Sequence, residues 1–179
     1  FAIVNDKVVR HASTQEVIRR FFRYQCEYIM GYADSDTVQR AELLMKELNV
    51  GPEDRPVVKP AKVAAKDALK KKKGNEGVYC GAAVELKDGT IIKGENSPLM
   101  HAESSLVLNA IKKMADIPKK IHLLPPNIIE SITHMKANIL NTSHLSLDLE
   151  DALNALSISA TTNTAAQLAM EKLKDLKGC

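Results

Sequence analysis

The stretch that decides the fold runs from Gly77 to Ser131 and reads GVYCGAAVELKDGTIIKGENSPLMHAESSLVLNAIKKMADIPKKIHLLPPNIIES. Apolar and polar residues alternate from residue 77 to 86, as in a half-buried β-strand. The Asp88-Gly89 pair that follows is typical of a tight hairpin turn. Residues 91–95 then continue as a return strand, so the stretch opens with a predicted β-hairpin.

The second half of the stretch predicts a helix, a strand and another helix. Apolar residues at helical spacing predict a helix from about Met100 to Ala115. The short apolar run Ile121–Leu124 lies between prolines and predicts a buried strand, and Pro126 suits the first turn of a further helix. Two strands joined by a helical crossover imply a parallel pair, so we predict a three-layer α/β domain.

The region before this domain predicts helices. Ser13 and Glu16 have the spacing of a capping box, which predicts a helix from Ser13 to about Met30. A second helix is predicted for residues 35–48, and Pro60 suits the start of a third. The apolar run Ala2-Ile3-Val4 is interpreted as a strand or an extended lead-in.

These patterns divide the chain into three parts. We predict a small helical unit over residues 1–60, a linker or helix over 61–76, and the α/β domain over 77–179. The linker carries the run Lys70–Lys73, which suits either a phosphate- or nucleic-acid-binding patch or a solvated helix end. We favour the helix end because cations complement the helix dipole there and no aromatic residues are interleaved.

Composition excludes several classes of protein. A net charge of +3 predicts no nucleic-acid partner. The three cysteines are widely spaced and odd in number, which argues against a disulfide framework and favours a reducing cytosol. No signal peptide and no apolar run of membrane-spanning length is present, so we predict a cytoplasmic protein without a membrane partner. The chain begins with Phe1, and we interpret it as a piece of a longer polypeptide.

One spacing looks catalytic. His101-Ala102-Glu103 opens the predicted central helix, and the whole stretch resembles the cytidine-deaminase-like fold. In that fold a His-x-Glu motif and a later Pro-Cys-x-x-Cys motif hold zinc and move protons for its bound water. The resemblance matches His101 to the zinc ligand, Glu103 to the acid/base and Pro125 to the motif's proline.

The sulfur ligands of that motif are missing. Pro126 and Ile129 stand where the two thiolates should be, and a catalytic zinc needs three protein ligands. Four other residues could supply replacement zinc ligands, but their spacing along the chain does not point to a zinc site: Cys80, His122, His134 and His144. We therefore predict no cofactor and no complete active site, with a zinc-dependent deaminase of a nucleobase or similar amide as the alternative.

Two helix starts are further candidates for ligand binding. Ser104 and Ser105 open the central helix, and Asn163 and Thr164 open the last one. Free backbone amides at either start would suit a phosphate or carboxylate. Plain helix capping needs the same residue types, and we favour that interpretation. Cys80 and Cys26 are predicted to be small buried hydrophobes.

A second resemblance covers nearly the whole chain. It is carried by residues 1–6, 12–20, 85–90, 108–112, 155–160 and 176–179. These segments resemble a bacterial family of uncharacterised proteins catalogued as domain of unknown function 1846. The resemblance implies a longer protein, with a large N-terminal region that holds a Gly-rich segment similar to a phosphate-binding loop. The resemblance identifies no catalytic residues in this chain. It implies that the N-terminal region of the same polypeptide is a partner.

Three functions follow as hypotheses. The first is a scaffold or ligand-contributing module of a larger chain, with a phosphate- or nucleotide-type ligand. The second is the zinc-dependent deaminase. The third is a homo-oligomerisation module that uses the apolar face of the first helix, including Phe21 and Phe22.

Overall fold

The structure is a computed structural model that describes residues 5–179. The predicted strand at Ala2–Val4 lies outside the described residues. The chain separates into two compact units, one ending at Val58 and the other spanning Lys59–Cys179. In the described residues, no helix is both long enough and apolar enough to cross a membrane.

The first unit is a helical hairpin. Helix α1 spans Asp6–Ile29, helix α2 spans Ser35–Glu47, and a 3₁₀ turn follows at Pro52–Asp54. The two helices pack against each other. The side chain of Asp34 caps α2 by accepting a hydrogen bond from the amide of Thr37 at 2.8 Å. The predicted second helix is therefore confirmed, with an end one residue earlier.

The predicted start of α1 is wrong. Asn5, not Ser13, is the N-cap, and its side chain accepts a hydrogen bond from the amide of Val8 at 3.2 Å. Residues 6–12 contain no glycine or proline, so nothing stops the helix from extending to this earlier cap. Glu16 lies inside the helix and pairs with Arg19 and Arg20 instead of reaching back to a cap.

Helix α3 spans Val58–Lys70, so all but its first residue belongs to the second unit, and a β-hairpin follows it. Strand β1 spans Gly81–Glu85 and pairs antiparallel with strand β2, Ile91–Glu95, with Gly81 opposite Glu95. The predicted hairpin is confirmed, although β1 begins four residues later than expected. Gly94 allows β2 to approach the next helix, because a Cβ there would lie 2.3 Å from the carbonyl oxygen of Ala102.

Four more helices complete this unit. They are α4 (Ala102–Met114), α5 (Pro126–Asn138), α6 (Leu149–Ala160) and α7 (Thr164–Glu171), and a 3₁₀ helix, Lys172–Leu176, follows. Pro126 begins α5, and Asp148 and Asn163 cap α6 and α7 as predicted. The core consists of aliphatic residues from these helices and the segments between them: Leu108, Ile111, Leu123, Leu124, Ile132, Leu147, Ala155, Leu156, Ala166 and Ala169.

The predicted strand at Ile121–Leu124 is wrong. Leu123 and Leu124 are buried, but the carbonyl of Ile121 accepts from the ammonium of Lys112, and that of His122 accepts from the Asn163 side chain at 3.4 Å. The segment therefore buries its leucines while side chains, rather than a neighbouring strand, bind its backbone.

The predicted parallel pairing with a hairpin strand is absent from residues 5–179, where the sheet is purely antiparallel. A parallel contact of another kind is present between two loop segments. Met100 forms an isolated parallel bridge with Leu147, in which the amide of His101 donates to the Leu147 carbonyl at 2.9 Å. Within residues 5–179 the fold is mixed α/β and mostly helical, with seven α-helices and one two-stranded sheet. The cytidine-deaminase-like arrangement and its third layer are not confirmed.

Candidate functional site

The His101–Glu103 pair lies at the start of α4, as the sequence predicts. His101 is the N-cap residue in extended conformation, with φ −69° and ψ 164°. Its Nδ1 lies 3.3 Å from Oε1 of Glu103, and the side chains are 42% and 52% exposed. The carboxylate of Glu103 also lies in the first turn, where the helix dipole favours a negative charge. The two groups therefore contact each other at a solvent-facing helix start.

Both residues line a cleft of about 270 Å³ in the second unit. The other residues around this imidazole cleft come from the approach to the hairpin, from the residue after β2, from the start of α4 and from the loop before α6: Asn75, Glu76, Val78, Cys80, Asn96, Ala102, His144 and Ser146. Two of the replacement donors considered above, Cys80 and His144, thus lie on the same cleft as His101. His122 and Ile129 line another cavity, also of about 270 Å³.

A buried amide holds one wall of the imidazole cleft. Asn96 is only 7% exposed. Its side-chain oxygen accepts from the amide of Cys80 at 2.8 Å, and its Nδ2 donates to the carbonyl of Val78 at 2.9 Å. The Asn96 side chain therefore extends the hairpin by two hydrogen bonds and fixes the position of Cys80.

The donor set of the cleft does not fit a catalytic zinc. Within residues 5–179, no group of three or more His, Cys, Asp or Glu side chains is placed so that it could hold a metal ion. A hydrolytic zinc needs three protein ligands around a tetrahedral ion. Residues that share the cleft therefore do not form the ligand set that the deaminase chemistry requires.

The prediction that Cys80 is buried is wrong, and the same prediction for Cys26 is wrong. Both thiols are exposed, as is Cys179, and all three are free. Cys80 precedes β1 and lies on the cleft wall, so its side chain faces solvent instead of the sheet's packed side.

The predicted ligand-binding residues at the helix starts have intramolecular roles. Ser104 is fully buried, and its Oγ donates to the carbonyl of Leu147 at 3.2 Å. Asn163 accepts from the amides of Ala165 and Ala166 at 2.9 and 3.2 Å. Thr164 is exposed at the first position of α7. Their part in ligand binding stays a prediction.

Ser105 is different, because it lines two cavities beside α4. Both adjoin a larger, lysine-lined cleft at the other end of α4, to which no sequence motif pointed. The available signal was the pair of lysine clusters at residues 112–113 and 119–120, on either side of a turn. This signal is weak, because lysines are common at the C-terminal ends of helices.

Comparisons with known proteins assign the chain to a family. The family model "Domain of unknown function DUF1846, C-terminal" matches residues 53–179, and "Domain of unknown function DUF1846, N-terminal" matches residues 1–49. A "UPF0371 protein" of Clostridium botulinum (strain Langeland) is 48% identical over the whole chain, and one of Clostridium tetani is 45% identical.

The match covers only part of these relatives. The chain is aligned in full but spans 36% of the length of both proteins. The break between the two family matches, at residues 49–53, lies near the end of the first structural unit at Val58. On these matches, the chain belongs to the bacterial DUF1846 family.

Proposed function

We propose that these 179 residues act as a non-catalytic module of a longer cytosolic polypeptide, which supplies a docking surface and ligand-contributing groups. The relatives are nearly three times as long as the chain, so other regions of such a protein are available as partners. The lack of a metal-ligand cluster in residues 5–179 argues against the zinc-dependent deaminase. Three exposed free thiols suit the reducing cytosol.

One observation carries the docking proposal. Four large apolar side chains are exposed at the end of α1 and in the turn after it, and we call them the α1-end patch: Tyr28 (51%), Ile29 (81%), Met30 (58%) and Tyr32 (80%). Single exposed apolar residues are normal on a protein surface. Four such residues within five positions, two of them tyrosines, favour a protein–protein contact at this end of α1.

The second unit has a smaller group of the same kind. Ile139 and Leu140 are 66% and 62% exposed just after α5. We propose that the occupant of the α1-end patch is the part of a family-length polypeptide outside these 179 residues. That occupant is preferred because roughly two thirds of each relative lies outside the match.

The oligomerisation alternative remains, but its predicted surface is less suitable. Phe21 is half-buried and Phe22 is 36% exposed, and their ring centroids lie 5.7 Å apart. The face of α1 that carries Val17 and Tyr24 lies against α2. A second copy of the chain would therefore find more apolar area at the α1-end patch than at the two phenylalanines.

Association in trans tests the docking proposal. The remainder of the Clostridium botulinum relative would be purified and mixed with this chain, with the relative's own matching segment as the positive control. Light scattering after size exclusion should show a 1:1 complex. The double variant Ile29→Lys/Tyr32→Lys should weaken this complex by at least about tenfold, because it places two charges in a desolvated contact.

The matched control is Val8→Lys, which changes an equally exposed apolar residue, 62% exposed, near the other end of α1. It should leave the complex unchanged, and thermal melts should show that all variants fold. Absence of a complex while the positive control binds would refute the proposal. A homodimer that the double variant dissociates would establish the oligomerisation alternative in its place.

A further inference from the structure

A sizeable cleft lies in the second unit, beside the C-terminal half of α4. Its volume is about 640 Å³, within the range of roughly 300–1,000 Å³ of small-molecule sites. Strand β2, helix α4 and the loop after α4 form its walls, and we call it the lysine cleft: Ile91, Ile92, Lys93, Glu95, Asn109, Lys112, Lys113, Ile117 and Lys119. Nothing in the family assignment gives it a role.

The charge of its lining is strongly unbalanced. Four lysines and a single glutamate face the cleft. That glutamate is already neutralised, because Lys71, from outside the cleft, binds both oxygens of Glu95 at 2.7 and 2.9 Å. Lys93 forms a long ion pair with Asp67 at 3.8 Å, and Lys113 interacts electrostatically with the nearby Asp88, but neither carboxylate lines the cleft. The cleft is therefore a region of positive potential that would attract anions.

An ordinary helix-end effect explains only half of this set. Lys112 and Lys113 are in the last turn of α4, where the dipole favours cations. Lys93 comes from β2 and Lys119 from the loop after α4. Three separate elements thus contribute ammonium groups to one cavity, although like charges repel each other when no anion is present.

The walls are fixed before any ligand binds. Asn109 Nδ2 donates to the carbonyl of Lys93 at 3.0 Å and so joins α4 to β2. Lys112 Nζ donates to the carbonyls of Lys119 at 2.8 Å and of Ile121, and so holds the loop against α4. A preformed site loses less conformational entropy on binding than a flexible one.

Burial makes one of the cations costly. Partial burial of Lys112 lowers the pKa of its ammonium group, since desolvation disfavours the charged form. An anion in the cleft would offset this cost, because an opposite charge nearby favours the ionised lysine. The lowered pKa of Lys112 and the positive charge of the lining therefore both favour an anionic ligand.

A second cavity extends the cleft towards the start of α4. It measures about 330 Å³ and shares Lys93, Glu95 and Asn109 with the first. It adds Lys73 and Ser105, among other residues. The isoleucines of the first cavity supply an apolar wall between the charged groups, so the whole groove suits an elongated ligand with an apolar body.

We infer that the lysine cleft binds a small organic molecule with two or more negative charges, in the class of phosphorylated metabolites. Its anionic groups pair with Lys93, Lys113 and Lys119, and its apolar body lies against Ile91 and Ile117. A nucleic acid suits the site less well, since no aromatic side chain lines it to stack with bases. This inference does not depend on the docking proposal.

Binding of two anionic probes tests the inference. Inorganic pyrophosphate and 1-naphthyl phosphate would be titrated into the ¹⁵N-labelled chain at constant ionic strength, with dissociation constants from calorimetry. The amide signals of Lys93, Asn109 and Ile117 should move in a saturable way. The variant Lys93→Gln/Lys119→Gln should bind both probes at least about tenfold more weakly, because two charge-assisted hydrogen bonds are lost.

The control variant, Lys46→Gln/Lys87→Gln, makes the same change in net charge at two exposed lysines outside the cleft. It should change the dissociation constants by less than about twofold. Lys119→Gln alone, on the loop, supplies a milder variant if the double variant melts early. Equal weakening in both double variants, or no saturable shift in the wild type, overturns the site. A single-stranded oligonucleotide that binds more tightly than either probe, and loses affinity in the same variant, overturns the small-molecule assignment.

Discussion

The two units use their charged side chains differently. In the first unit, Glu16 pairs with Arg19 and Arg20, and Arg23 pairs with Glu27, all within one helix and near solvent. In the second unit, some ion pairs join segments that are distant in sequence, beside local pairs such as Lys172–Asp175. Lys136 binds Asp151 across 15 positions and Lys71 binds Glu95 across 24.

The ion pairs of the first unit stabilise a single helix, whereas the long-range pairs of the second unit hold different segments together. Pairs three or four residues apart follow from helical spacing, and solvent screens them, so each contributes little to stability. A pair that joins two elements and is partly buried leaves an unpaired charge when one partner is removed, which costs much more. Substitutions in the second unit should therefore have larger effects on the free energy of unfolding, and the following predictions test this.

Removal of the Lys136 ammonium should have the largest effect. The side chain is 10% exposed and lies 2.5 Å from Oδ2 of Asp151, and it also donates to the carbonyl of Ser146 at 3.1 Å. Lys136→Met keeps the apolar stem but leaves both acceptors without the ammonium. We expect a loss of about 3 kcal/mol in the free energy of unfolding, measured by urea denaturation.

A matched variant shows whether burial is the cause. Lys172 and Asp175 form an ion pair at 3.6 Å with side chains 41% and 44% exposed. Lys172→Met should change stability by less than about 0.5 kcal/mol. Because Ser146 lines the imidazole cleft, only Lys136→Met should also shift the NMR signals of His101. Losses of the same size in both variants would contradict the comparison.

Lys112 should have the next largest effect, since its ammonium binds two loop carbonyls rather than a carboxylate. Lys112→Met should lower stability by about 1–2 kcal/mol. It should also increase hydrogen exchange at Ile121 and its neighbours as the loop loosens. Lys113→Met, one position further along α4, is the control and should change stability by less than about 0.5 kcal/mol. Equal exchange in the two variants would contradict the anchoring role.

The same distinction explains how much of the fold the sequence predicts. The hairpin turn at Asp88-Gly89 and the caps Asp148 and Asn163 were predictable, because each depends on residues within a few positions. Ile121–Leu124 was not. Its apolar residues suit burial in any conformation, and the groups that bind its backbone come from Lys112 and Asn163. Periodicity carries no information about such distant partners.

The candidate sites follow this pattern as well. The sequence places His101 and Glu103 in one helix turn, and the structure brings them within 3.3 Å. It does not indicate that Cys80 and His144 share their cleft, because the contact depends on how the hairpin and a later loop fold back. The lysine cleft is assembled from β2, α4 and a loop. In the sequence, its lysines cannot be distinguished from ordinary surface lysines, because only the fold brings the three elements together.

The smallest effect should come from the exposed pairs of α1, and it should depend on pH. Two guanidinium groups bind the carboxylate of Glu16, at 2.7 and 2.8 Å for Arg19 and 2.8 Å for Arg20. These hydrogen bonds and charges lower the pKa of Glu16 from 4.5 to about 2. Because the folded-state pKa is depressed, the carboxylate stabilises the fold above pH 4.5 and loses this effect as the pH falls towards 2.

The variant Glu16→Gln measures that contribution. At neutral pH it should melt slightly below the wild type, and the difference in melting temperature should shrink as the pH falls from 4.5 towards 2. Arg19→Gln/Arg20→Gln should move the Glu16 carboxyl titration, followed by NMR, back towards 4.5, since both causes of the shift are removed. A wild-type titration already centred at 4.5 would mean that solvent screens these pairs completely. The charges of the first unit would then contribute nothing measurable, and the contrast with the second unit would be sharper still.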